Sequence, residues 1–133
     1  MLNYGIVKKH LNHYKKKLGL DDYRISILFA NDHYLFTDRN SFTVRKSADF
    51  QAEVTVRHQL EKDYTIVLNK KYTTNLKDTI LHELLHILFW DAFNIVEIIV
   101  DLTTLCDENK IILMTQLDEK EHGIIDKLMK ELI

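Results

Sequence analysis

The spacing of apolar and polar positions changes several times along the chain, and each change marks an element. Near the N-terminus Ile6, Val7, Leu11, Tyr14 and Leu18 recur at helical intervals with lysines between them, and Gly19 follows as a stop. This predicts an amphipathic helix over 3–18 whose basic residues form a solvated face. In "YRISILFA" the pattern switches to alternation, with Ile25, Ile27 and Phe29 in phase, which predicts a strand over 23–30. Residues 31–49 carry no clear period and read as a loop with one short strand at "FTV". Alternation returns over 50–58, where Phe50, Ala52, Val54 and Val56 oppose Glu53, Thr55 and Arg57. A further strand, "YTIVLN" at 64–69, follows after "QLEKD", a connection of hairpin length.

Helical spacing resumes near Thr73 or Thr74, either of which can cap an N-terminus, and runs to about Asp91. Two more helical stretches follow, at 94–106 and 117–133. The order of helix, strands and then helices predicts an α+β fold: a small sheet packed on one helix, with further C-terminal helices. At 133 residues the chain is expected to form a single domain, 1–133.

The helix at 73–91 contains "TILHELLHILFW", residues 79–90. Around its axis Leu76, Ile80, Leu81, Leu84, Leu85, Ile87 and Leu88 fill a broad apolar arc. His82, Glu83 and His86 share the remaining sector with Asn75 and Thr79. A helix apolar nearly all round is buried, and burying several unpartnered polar groups costs a few kcal/mol each. A metal ion facing the stripe would satisfy them together. His82 and His86 lie one turn apart and only ~40° apart around the axis, so both imidazoles can reach one Zn²⁺ at about 2.0–2.1 Å. Glu83 would then address a zinc-bound water, whose pKa the ion lowers toward ~7, and take its proton as it attacks a carbonyl. This is the HExxH arrangement of zinc-dependent peptidases.

A catalytic zinc usually has three protein ligands. The pattern that places a third histidine shortly after the motif needs glycine and histidine where this chain has Phe89 and Ala92, so that variant is excluded. Acidic residues farther on remain. Glu97 and Glu108 fall on a polar stripe with Asn94, Asp101 and Thr104, which reads as a wet helix face. Glu121 falls in the middle of the apolar arc formed by Leu117, Ile124, Ile125, Leu128 and Leu132, where an unpaired carboxylate would be costly. Glu121 is therefore the expected third ligand, with Glu97 and Glu108 in reserve. His122, Tyr64 and Tyr72 are candidates for steadying an oxyanion. His122 reads more simply as a surface histidine, and His10 and His13, among the N-terminal lysines, as part of a solvated face.

Composition narrows the surroundings more than the chemistry. The formal net charge of -2 argues against a nucleic-acid-binding surface, and no apolar run approaches the length of a membrane span. The lone Cys106 excludes an internal disulfide and a cysteine zinc ribbon, and no neighbour marks it as a nucleophile. The N-terminal stretch has no signal-peptide character, so a cytoplasmic location is expected.

"YTIVLNKKYTTNLKDTILHELLHILF" followed by "EKEHGIIDKLM" resembles the compact zincin metallopeptidases sometimes called minigluzincins. It is also similar to small metallopeptidase-like proteins of bacteriophage and prophage genomes. The resemblance covers approximately the C-terminal half together with the strand at 50–58. It implies a three-stranded sheet whose edge can pair with an extended peptide, above a helix bearing the zinc ligands. By that likeness His82, His86 and Glu121 bind zinc and Glu83 is the general base. Residues 92–116 are longer than the corresponding connection in minimal members. The expected function is a zinc metalloendopeptidase acting on a peptide or protein substrate. The competing class is a zincin-shaped, non-catalytic metal-binding protein, phage-encoded, that recognises a host or phage partner.

Overall fold

The computed structural model describes residues 3–30, 34–37, 43–46, 51–58, 61–71 and 74–132. The chain divides into two compact units, 1–84 and 85–133.

The first unit opens with α1 (Tyr4–Lys17), whose N-terminus is capped by the Asn3 side chain accepting from the Gly5 and Ile6 amides. Val7, Leu11 and Tyr14 are its buried stripe, whereas Ile6 is half exposed. At its end the Leu20 amide donates to the Lys15 carbonyl and the Gly19 amide to that of Lys16, a Schellman closure with Gly19 at φ +72°. A Cβ at Gly19 would meet nothing within 4 Å, so any penalty there is one of backbone conformation. Gly19→Ala is expected to cost about 1–2 kcal/mol in urea unfolding, with the helix content unchanged.

Two sheets follow. β1 (Arg24–Ala30), β4 (Ala52–His58) and β5 (Asp63–Asn69) form a mixed sheet in the order β1-β5-β4. β5 runs parallel to β1, pairing Ile66 with Ile27, and antiparallel to β4, pairing Ile66 with Val54. The centre of the sheet is thus the most apolar strand, with Tyr64, Ile66, Val67 and Leu68 buried on both faces. A bulge between Val56 and His58, and Lys62 at φ 53°, bring β4 into β5. Lys62 reaches Asp22 at 2.6 Å and lies 5.0 Å from the centre of the Tyr23 ring. The hydrogen bond from Lys62 holds the Asp22 carboxyl below the usual carboxylate range.

β2 (Tyr34–Thr37) and β3 (Thr43–Lys46) form a separate antiparallel pair. The sequence placed a single short strand here and missed β2, because a four-residue strand spans too few positions to establish alternation. Phe50, at the head of the expected strand 50–58, lies outside the described residues.

α2 (Leu76–Asp101) packs its first half on the three-stranded sheet, with Ile80, Leu81 and Leu84 fully buried. Gln51 donates to the Thr79 hydroxyl at 2.8 Å, tying the entry of β4 to the first turns of α2. The helix starts later than Thr73 or Thr74. Asn75, at φ 55°, accepts the first helical bond from the Thr79 amide, and Thr73 lies outside the described residues.

A second correction concerns its length. The break expected between Asp91 and Asn94 is absent, and one 26-residue helix replaces two shorter ones. Ala92, Phe93 and Asn94 include neither proline nor glycine, and Phe89 packs edge-on against Phe93 across the expected break, with centroids 6.2 Å apart.

In the second unit the later part of α2 is followed by α3 (Asp107–Leu132), which begins ten residues before the expected 117. Its first helical bond runs from the Lys110 amide to the Cys106 carbonyl. Cysteine is an unusual residue at that position, which explains why the start is hard to read. Asp107 and Glu108 then occupy the first turn, where the helix dipole favours negative charge. Lys110 also donates to the Asp101 carbonyl at 3.0 Å, closing the hairpin end. Among the described residues no helix is long and apolar enough to cross a membrane.

Candidate metal centre

The polar stripe on α2 is where the periodicity puts it. Glu83 is buried, and His82 and His86 are half-buried one turn apart. The apolar positions around them, Leu81, Leu84, Leu85 and Ile87, are at most 1 % exposed, so the helix cannot roll to bring its imidazoles into water.

α3 supplies the partners. The Glu121 carboxylate lies 2.8 Å from Nδ1 of His86, with both side chains largely covered. His122 turns its ring edge-on to His86, with centroids 4.9 Å apart. His82, His86 and His122 each offer a ring nitrogen, and the three atoms lie within 4.8 Å of one another. This is the metal-capable group of three among the described residues.

The hydrogen bonds decide which nitrogens are available. Nδ1 of His122 lies 2.9 Å from the Asp118 carbonyl oxygen, which can only accept, so the imidazole donates from Nδ1. An ionised Glu121 likewise accepts from Nδ1 of His86. Both rings then carry their lone pair on Nε2, and it is through that nitrogen that they would bind a metal. Ligands around tetrahedral zinc are about 3.3 Å apart, so closing on an ion of that kind would draw the three rings closer together. The three imidazoles could therefore hold a metal ion.

Not every residue singled out from the sequence joins this group. Glu97 lies eleven residues beyond His86 on the same continuous helix, about 16 Å along its axis, and cannot share an ion with it. Glu108 is at the opposite end of α3, about 20 Å from Glu121. Tyr64 is buried at the start of β5 and stacks on Tyr23, with centroids 6.0 Å apart. Tyr72 lies outside the described residues. Glu121 is drawn to His86, as its place in the apolar arc suggests, although it meets an imidazole nitrogen. His122, read from sequence as a surface residue, is half-buried and belongs to the cluster. The one sequence signal nearby is the Asp118 carboxylate one turn earlier, 3.5 Å from Nδ1 of His122, whereas the shorter bond is to a backbone carbonyl that any residue would supply.

No protein-family model matches the chain, and no curated protein or solved structure shows significant similarity to it.

Proposed function

We propose that the protein is a zinc-dependent peptidase whose ion is held by His82, His86 and His122. The observation that carries this reading is the convergence of three imidazole nitrogens within 4.8 Å beside a buried glutamate. A structural zinc site closes all four positions, commonly with thiolates, whereas three nitrogens leave a position for substrate or solvent. Bound there, zinc would supply Lewis-acid polarisation of a carbonyl and make water acidic near neutral pH.

The chain's own residues account for the rest. Glu83 takes the proton of the attacking water and returns it to the departing amine. Glu121 keeps the His86 ring in its Nδ1–H tautomer and fixes its orientation. Placing Glu121 there departs from its expected role as a ligand, and its contact with His86 supports the change. Among the described residues β4 is an edge of the three-stranded sheet, and such an edge suits an extended peptide, which would add as a further strand.

The test combines metal analysis with hydrolysis of a casein or random-peptide pool. Wild type is expected to bind one zinc ion and cleave. Glu83→Gln should keep the ion and lose roughly 10²–10⁴-fold in rate. If wild type and Glu83→Gln bind zinc equally and are equally inert, the peptidase reading fails. The alternative, a metal-bearing recognition protein, then stands. If neither binds zinc, both readings fail.

A further inference from the structure

The apolar face of α2 does not end where its cover ends. Over the first half of the helix Leu81, Leu84 and Leu85 are fully buried. Continuing along the same face, exposure rises from 38 % at Leu88 to 56 % at Ile95, 57 % at Ile99 and 79 % at Leu102, the residue just past the helix end, whose amide still donates to the Ile98 carbonyl. With the exposed Ala92, these positions are spaced by 4, 3, 4 and 3 residues. That is the heptad interval of a helix seam that packs against another helix. The seam points away from α3, because His86, whose ring meets Glu121 of α3, lies on the opposite side of the helix axis from Ile95 and Ile99.

We propose that this face is the interface of a homodimer, covered by the same stretch of α2 from a second copy of the chain. Three features favour a second copy over another partner. The seam has the heptad repeat needed to interdigitate with itself, and a two-fold pairing presents one patch to its identical twin. Flanking Val96 and Ile98 are also exposed, widening the face to the breadth of a helical-bundle contact rather than a narrow seam. The five seam positions carry no charge, the exposed Asp91 lies at one margin of the face, and no Lys or Arg occurs between Lys77 and Lys110, so there is no cationic handle for an acidic protein or for anionic lipid.

The area is adequate. The exposed seam and its flanks amount to roughly 600 Å² per copy, at the upper end of patches on monomers, and about 1,200 Å² for a pair, where specific stable interfaces begin. The pairing is independent of the metal reading, because none of these residues contributes a ligand.

Sedimentation equilibrium of the full chain tests the proposal. Wild type is expected at the mass of two chains rather than 15.8 kDa, with a Kd in the micromolar range or tighter. Ile95→Glu/Ile99→Glu should sediment as one chain with an unchanged far-ultraviolet spectrum. Ile6→Glu, on the exposed side of α1, should remain a dimer. Should the double variant not fold, Ile95→Cys/Cys106→Ser provides a second measurement. It should form a disulfide-linked dimer with copper-phenanthroline, and no higher species. Wild type at the mass of one chain overturns the proposal, as does an Ile95→Glu/Ile99→Glu variant that folds and still dimerises. A monomer that floats with phosphatidylglycerol vesicles also overturns it and assigns the face to lipid.

Discussion

Replacing His122 with alanine is expected to reduce zinc affinity on the order of a thousandfold, about as much as replacing His86. Apparent zinc-binding free energies of ~10–16 kcal/mol are shared among a few ligands, so removing one costs several kcal/mol. Glu121→Ala should cost only ~10–100-fold, the usual penalty for freeing a ligand imidazole from the carboxylate that orients it. Glu121→Gln should fall closer to wild type, since its side-chain oxygen can still accept from Nδ1 of His86. Competition against a chromophoric chelator measures these four variants and wild type on one scale. The assignment is overturned if Glu121→Ala loses zinc as severely as His86→Ala while His122→Ala binds normally. That ordering would make Glu121 the ligand and His122 a bystander. Glu97→Ala and Glu108→Ala are internal controls, because helix geometry places both about 16–20 Å away along their own axes.

The ease with which these residues can be found in the sequence differs for physical reasons. His82, Glu83 and His86 are legible because their relation is local: one helix, one turn, and a surrounding arc of leucine and isoleucine that makes any polar group conspicuous. β4 and β5 are legible for the same reason, since alternation over seven residues is enough to define a face. Glu121 is also conspicuous, as a carboxylate in an apolar arc, and its direction toward α2 follows. Its partner does not follow, because a helix wheel treats each helix alone. Whether Glu121 or His122 stands nearer the imidazoles depends on a pairing between residues 35 and more positions apart. The merging of the expected helices at 73–91 and 94–106 was hidden by the opposite problem. The chain has no proline and three glycines, so helix ends are weakly marked and polar residues such as Asn94 attract more weight than they carry. The bare seam on α2 was present in the spacing of Leu88, Ile95, Ile99 and Leu102, but only coordinates show which half of a long apolar face is covered.

Ile66→Ala is expected to remove about 2–5 kcal/mol of stability, a large part of the ~5–15 kcal/mol typical of a domain. Ile66 is fully buried in the central strand, between Ile27 on one side and Val54 on the other. Neither neighbouring strand can slide in to fill the void without breaking its ladder, so the cavity persists and the cost lies toward the upper part of that range. Leu102→Ala, at a position 79 % exposed, should cost little within one chain. Zinc gives this comparison a second use. The helix that presents His82 and His86 also carries Ile80, Leu81 and Leu84 into the core, so the histidines are one turn apart only while α2 is folded. An ion that binds only the folded chain stabilises it by about 4.1 kcal/mol at a thousandfold excess over Kd. Zinc should therefore raise the urea midpoint of wild type and of Ile66→Ala by similar amounts and restore most of what the cavity removes. His86→Ala, with a Kd about a thousandfold weaker, should gain only about 0.4 kcal/mol at the same concentration. If zinc leaves the midpoints of all three proteins unmoved, the imidazole cluster is not a metal site. If it stabilises His86→Ala as much as wild type, the ion binds elsewhere.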